Sequence, residues 1–209
     1  MFAPVTIKLD EATRKFSGDV GQSYYENARR SGRPMSQGMH TLDPARRIFN
    51  EREGASAEKA LAVMAGLPWP GDAGWTAWNP DSVDVPPDLQ CRLAASNGNH
   101  LAIIPKDKDD EYFLLCKLGA QEGEYVFWGW LLAAEAKHLC PDKWHLSDDY
   151  PPGHHIHVRF LHPLHRQLGL LWPDGTVARP WGVVTVPLVK KLWPRPDGWP
   201  LKGCGLRSF

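Results

Sequence analysis

Cysteine is scarce in this chain, with four residues in 209, and no two of them form a C-x-x-C pair. That excludes zinc ribbons and thioredoxin-type redox sites. Reduced thiols in a cytoplasmic compartment are the simplest expectation for Cys91, Cys116, Cys140 and Cys204. Charge of one sign is also lacking: Lys plus Arg and Asp plus Glu are both 24. No global field draws this protein to nucleic acid, so any such partner must be held by a local patch. The longest apolar run, Val126 to Ala134, falls far short of the roughly 20 residues that cross a bilayer. The first residues lack the basic-then-apolar pattern of a signal peptide, so no membrane role is expected. No internal repeat and no low-complexity segment is present.

What the chain does have is 10 Trp and 19 Pro. Trp brings a large apolar area with an N–H that needs a partner, and Pro interrupts regular structure. Hydrophobic content of 43% is enough for a real core. Asp10 caps a helix expected over 11–30, with Phe16, Val20, Tyr24 and Ala28 on one face and two glycines that weaken it. Asp43-Pro44 starts a second helix that runs to Ala65 and stops at Gly66. Ile48, Phe49, Ala60, Val63 and Met64 lie toward one side of it. Glu51 and Glu58 share another face, and Gly54 is a point where it could bend.

After a Pro/Gly/Trp-rich connection the period changes. Strands are expected at 6–9, 82–84, 90–95, 101–104, 112–116 and 125–130, with 101–130 read as an antiparallel meander. One or two helical turns follow at 133–137. Residues 138–157 read as a polar loop, 157–160 as a short strand, 161–168 as a short helix or turn, and 183–186 as a short strand. The tail beyond reads as irregular, packed by Trp193 and Trp199. The class is α+β: a mixed, largely antiparallel central sheet with flanking helices. The chain reads as one domain, with its core at 43–168, an N-terminal helix at 11–30 and an extension at 169–209.

One constellation suggests chemistry. Glu58 sits on a helix, Asp84 enters an extended segment, and Gln90-x-Arg92 lies on the next, where alternation puts both side chains on one face. Two carboxylates and a carbonyl suit Mg²⁺, which prefers oxygen ligands and keeps several waters. A nearby cation would stabilise a phosphoryl transition state.

The order Ser56-Ala57-Glu58-Lys59-Ala60-Leu61-Ala62, Val83-Asp84-Val85, Leu89-Gln90-Cys91-Arg92 resembles the PD-(D/E)xK nuclease superfamily, as found in bacteria and their phages. So do Leu101–Ile104, the acidic turn Asp107, Asp109 and Asp110, Tyr112–Leu115, and Gly129-Trp130-Leu131-Leu132 with Glu135-Ala136-Lys137. The resemblance implies a metal-dependent endonuclease acting on DNA. Glu58, Asp84, Gln90 and Arg92 would be catalytic, with Glu58 and Asp84 holding Mg²⁺ or Mn²⁺. Gln90 and Arg92 stand where the family has Glu and Lys, and Pro86-Pro87 replaces a usual Gly. Arg92 can clamp a phosphate but stays protonated, so it cannot be a base. The alternative is an inactive nuclease fold that binds DNA or a protein partner, as a phage protein intercepting a host factor would.

Three further groups are notable. Arg29, Arg30, Arg46 and Arg47 could grip a nucleic-acid backbone, or lie on solvated helix faces paired with Glu51 and Glu53. His138, Cys140, His145, His154, His155 and His157 fit no standard zinc spacing and read as a polar loop, three of whose histidines could approach a phosphate. Trp128 and Trp130 are expected to share a strand face, with core packing outweighing base stacking.

Overall fold

The structure, a computed structural model, describes residues 3–31, 43–74, 83–94, 98–141 and 152–181. Helix α1 (Glu11–Arg30) begins where Asp10 Oδ1 accepts the Thr13 N–H at 2.7 Å. Helix α2 (Pro44–Ala65) begins at Asp43, whose Oδ1 accepts the Arg46 N–H at 2.9 Å, and ends on Gly66 in the left-handed conformation (φ 65°). It runs unbroken through Gly54.

The two helices meet through small residues. A Cβ on Gly21 would stand 2.3 Å from the Glu51 carbonyl oxygen. Ser17 and Ser56 share a hydrogen bond of 2.8 Å in the same seam. Close approach, not bulky apolar side chains, therefore sets which face of α1 is buried: Ser17, Gly18, Val20, Gly21 and Tyr25. The expected face is rotated by this, and Phe16 stays 47% exposed, edge-on to Trp69. On α2 the buried side is Glu53, Ala55–Ala57, Ala60–Ala62, Met64 and Ala65, while Phe49 and Val63 are exposed.

Among the described residues the central sheet has four strands, β1 (Val5–Lys8), β2 (Leu89–Leu93), β4 (Tyr112–Leu118) and β5 (Glu124–Leu132), in the order β1-β5-β4-β2. β4 and β1 each pair antiparallel with β5, but β2 runs parallel to β4, with Leu89 beside Tyr112 and Leu93 beside Cys116. The sheet is mixed, as expected, and the meander is only half formed, through the antiparallel β4–β5 pair. β3 (His100–Ile103) leaves this sheet and pairs antiparallel with β6 (His154–His157). The physical reason lies in β4: Phe113, Leu114, Leu115 and Cys116 are all fully buried. A strand apolar on both faces needs two covers. α1 and α2 bury Leu114 and Cys116 with Leu61, Leu89 and Phe127. β3, β6 and α3 (Ala133–Leu139) bury Phe113, Leu115 and Leu131 with Ile103 and Ile156.

The segment after α3 differs from expectation: the strand expected at 157–160 is a single 3-10 turn over Val158–Phe160, and the helix or turn expected at 161–168 contains a strand. His154–His157 is a strand rather than loop, and β7 (Leu164–His165), β8 (Gly169–Leu171) and β9 (Val177–Arg179) make a small antiparallel sheet. Trp130 pins this sheet to the core, its Nε1–H lying 2.8 Å from the Pro163 carbonyl and 2.9 Å from that of Leu171. The strand expected at 183–186 and the tail with Trp193 and Trp199 lie outside the described residues. Cys91 and Cys116 are free and buried, but Cys140 is disulfide-bonded, its partner outside the described residues, so the expectation of uniformly reduced thiols fails there. Among the described residues no helix is long and apolar enough to cross a membrane.

Candidate functional site

Among the described residues β2 is the outermost strand, and one side of its backbone has no strand partner there. Just before it the chain folds back, with Val85 and Leu89 exchanging both backbone hydrogen bonds at 3.0 Å. This turn sets Asp84 alongside β2, where its Oδ2 accepts the Cys91 N–H at 2.7 Å. Glu58 reaches the same region from α2, with Trp69 Nε1–H on its Oε2 at 3.4 Å. Asp84 Oδ1 and Glu58 Oε1 have no hydrogen-bond donor among the described residues.

The electrostatics show that these groups share one neighbourhood. Burial pushes the Glu58 carboxyl well above its usual range, and the Asp84 charge pushes it further. Burial lifts Asp84 to about 6; the Arg92 guanidinium and the Cys91 N–H pull it back, and Glu111 and Asp107 oppose them. Glu51 is lifted to about 7 by burial and adds to the repulsion on Glu58. Tyr24, from α1, has its phenol raised by burial and by the charges of Glu58 and Asp84. The fold thus gathers Glu58, Asp84 and Arg92, with Glu51 on the same helix face as expected.

Gln90 has a different setting. It is buried, and its Nε2–H donates to Glu111 Oε2 at 3.1 Å. Lys108 lies 3.5 Å from the other Glu111 oxygen. Arg92 is held 3.1 Å from Asp107 Oδ1, and its guanidinium lies 4.6 Å from the centre of the Phe113 ring. Asp107 Oδ2 in turn accepts the Ile104 N–H at 2.9 Å. Sequence reasoning missed Glu111 as a site residue. The available signal was a carboxylate directly preceding a wholly apolar strand, where burial without a partner would be prohibitive.

Of the other candidates, Arg29 is exposed in the last turn of α1, and Arg30 pairs with Glu26 at 3.4 Å. Arg46 and Arg47 open α2, with the Arg46 guanidinium 5.1 Å from the Phe49 ring. At 1.5 Å per residue this end of α2 is about 18 Å from Glu58. Glu53 does not pair with these arginines; it accepts from Arg14 at 3.0 Å and from the Tyr125 hydroxyl at 2.9 Å. Among the described residues no three His, Cys, Asp or Glu side chains gather as a metal site, and His145 lies outside them. His154 Nδ1 instead contacts the Cys140 carbonyl. Trp128 and Trp130 are on opposite faces, because the β4–β5 register shifts there: Leu115 pairs with Gly129 and Cys116 with Phe127, leaving Trp128 as a bulge.

No protein-family model, curated protein or solved structure matches this chain. What the site can do rests on its own groups. Two neighbouring carboxyls with raised proton affinity are a place where positive charge is missing, and a hydrated divalent cation would supply it. Mg²⁺ fits a two-carboxylate site because it retains several of its waters. The fit extends to Glu58 and Asp84 and does not include Gln90, whose amide is committed to Glu111.

Proposed function

We propose that this chain is a nuclease-fold protein of the PD-(D/E)xK kind that acts on DNA phosphodiesters with Mg²⁺ or Mn²⁺. The observation that supports this reading is the convergence of Glu58, reaching over from α2, and Asp84, held on the Cys91 N–H, beside Arg92 at the edge strand β2. The metal would supply an activated water and bear part of the phosphate charge. Glu58 and Asp84 would hold it through the oxygens that lack donors. Arg92 would turn from Asp107 to a non-bridging phosphate oxygen, a charge-assisted contact that Arg makes well. Arg46 and Arg47, about 18 Å along α2 from Glu58, would meet the nucleic-acid backbone together with Arg29 and Arg30 at the end of α1.

A second reading is favoured by one specific observation. Both residues at the Glu-x-Lys positions are already engaged inside the protein, Gln90 with Glu111 and Arg92 with Asp107. A fold that has lost catalysis and binds DNA or a protein partner would tolerate this. Plasmid cleavage by the wild-type chain, Glu58→Ala and Asp84→Ala in Mn²⁺ separates the two. Cleavage lost in both variants supports the nuclease. Cleavage unchanged in both sinks the mechanism, and a wild type that neither cuts nor binds Mn²⁺ by calorimetry leaves the binding module.

A further inference from the structure

The sheet face opposite α1 and α2 carries a second polar cluster, built from four elements. Lys117 projects from β4, and its ammonium lies 2.6 Å from Asn99 Oδ1 and 4.9 Å from the Trp128 ring centre. His100 of β3 and His157 of β6 are cross-strand partners with rings 5.1 Å apart, edge to face. Val158 N–H donates to the Asn99 carbonyl at 2.7 Å, which holds the Lys117 anchor against the end of β6. Arg159 follows in the next turn, its guanidinium 4.5 Å from the Phe160 ring. His157 Nδ1 accepts the Arg159 N–H at 3.2 Å, which leaves the Nε2 proton pointing elsewhere.

The charge in this cluster is all of one sign. Among the described residues neither Lys117 nor Arg159 is paired with a carboxylate. The surroundings register this: burial pushes the His100 imidazole down to about 4, and His157, His155 and Lys117 push in the same direction. His157 is lowered likewise, by burial first and then by Arg159 and Lys117. His100 Nε2 and Trp128 Nε1 are buried there without a hydrogen-bond partner. Two cations with neutral partners, two histidines and two unmet polar nitrogens are the chemistry of an anion site, and a phosphate with several acceptor oxygens fits it.

We propose that Lys117, Arg159, His100 and His157 form a phosphate-binding subsite for a nucleic-acid backbone. It shares no residue with the Glu58–Asp84 group, and it rests on the nuclease reading only for the source of the phosphate. Lys117 lies two residues beyond Leu115, the parallel partner of Arg92, so a strand clamped at Arg92 could continue along the ends of β2 and β4 to this cluster.

The test is binding without catalysis. A fluorescein-labelled 15-nucleotide single strand is titrated in EDTA at several salt concentrations, with the wild type, Lys117→Gln/Arg159→Gln, and Lys117→Arg/Arg159→Lys. Loss of two phosphate contacts should weaken binding roughly tenfold and lower the salt slope by about 1.4, with the charge-conserving pair close to wild type. Melting of each variant confirms that it is folded. Equal affinity and slope in the Gln pair would overturn the subsite. Inorganic phosphate followed by ³¹P NMR gives the second arm. Broadening abolished only in the Gln pair, with no strand bound by the wild type, keeps the subsite but assigns it to a free phosphate. Binding of neither probe ends the proposal. Because metal is absent throughout, failure of plasmid cleavage leaves these outcomes intact.

Discussion

The Gln90 side-chain amide and the Glu111 carboxylate are joined by a buried hydrogen bond of 3.1 Å, so Gln90 holds an acid that directly precedes the neighbouring strand β4. This has a direct consequence for engineering the site. Gln90→Glu alone would set two buried carboxylates against each other and should destabilise the chain by about 2–3 kcal/mol at neutral pH. Combined with Glu111→Gln, the donor and acceptor merely trade places. The double variant should melt close to wild type and bind Mn²⁺ about tenfold tighter, since it places a charged oxygen on β2 next to Cys91, whose N–H holds Asp84. Calorimetry and thermal melting measure both; a single variant as stable as wild type would show that the bond is not made.

Stability should fall as pH rises through the range in which the site ionises. Glu51 has an ordinary value of 4.5 and is lifted to about 7 in the fold. Between those values the native chain keeps a proton that the unfolded chain has released, so ionisation favours unfolding. Glu51→Gln should match wild type near pH 4 and exceed it by about 2–3 kcal/mol at pH 8. Urea unfolding at the two pH values tests this; a variant advantage that is the same at both would contradict it.

Arg179 ties the small C-terminal sheet to the turn that carries Asp84. It is fully buried, and its Nη2 lies 2.9 Å from Asp88 Oδ1. Arg179→Met would strand the Asp88 charge beneath the protein and should cost about 3–5 kcal/mol. Asp88→Asn/Arg179→Met removes both charges and should recover much of that loss. Chemical denaturation of the three variants gives the coupling, and simple additivity would argue against the clamp.

Two glycines on facing helices should respond in opposite ways. Gly21→Ala drives a methyl into the Glu51 carbonyl and should destabilise by about 1–3 kcal/mol. Nothing lies within 4 Å of a Cβ on Gly54, so Gly54→Ala should stabilise α2 by about 0.5–1 kcal/mol. A pair of melting curves decides it.

Local signals located both long helices to within a residue, because Asp10, Asp43-Pro44 and Gly66 act on the backbone next to them. Their buried faces were not legible, since Gly18 and Gly21 define a contact through what they lack. Five strands, β1 to β5, were found but, apart from β4–β5, not their pairing; Val83 and Asp84, expected in a strand, lie outside any, and β7 to β9 were not foreseen. Register depends on which faces are covered, and the continuous run Phe113–Cys116 was the clue that a second layer had to lie over β4. Glu58, Asp84 and Arg92 could be nominated because chain order and alternation place them near one strand. The commitment of Gln90 to Glu111 depends on the parallel pairing of β2 with β4, which no local pattern encodes.

The hydrogen bond from Cys91 to Asp84 also guards the molecule against itself. An unpaired strand margin invites a second chain to dock along it, and here one of its outward donors is already occupied by a side chain. Asp84→Ala would uncover that donor, so loss of activity in this variant has to be judged alongside light scattering: self-association would follow from the same missing carboxylate.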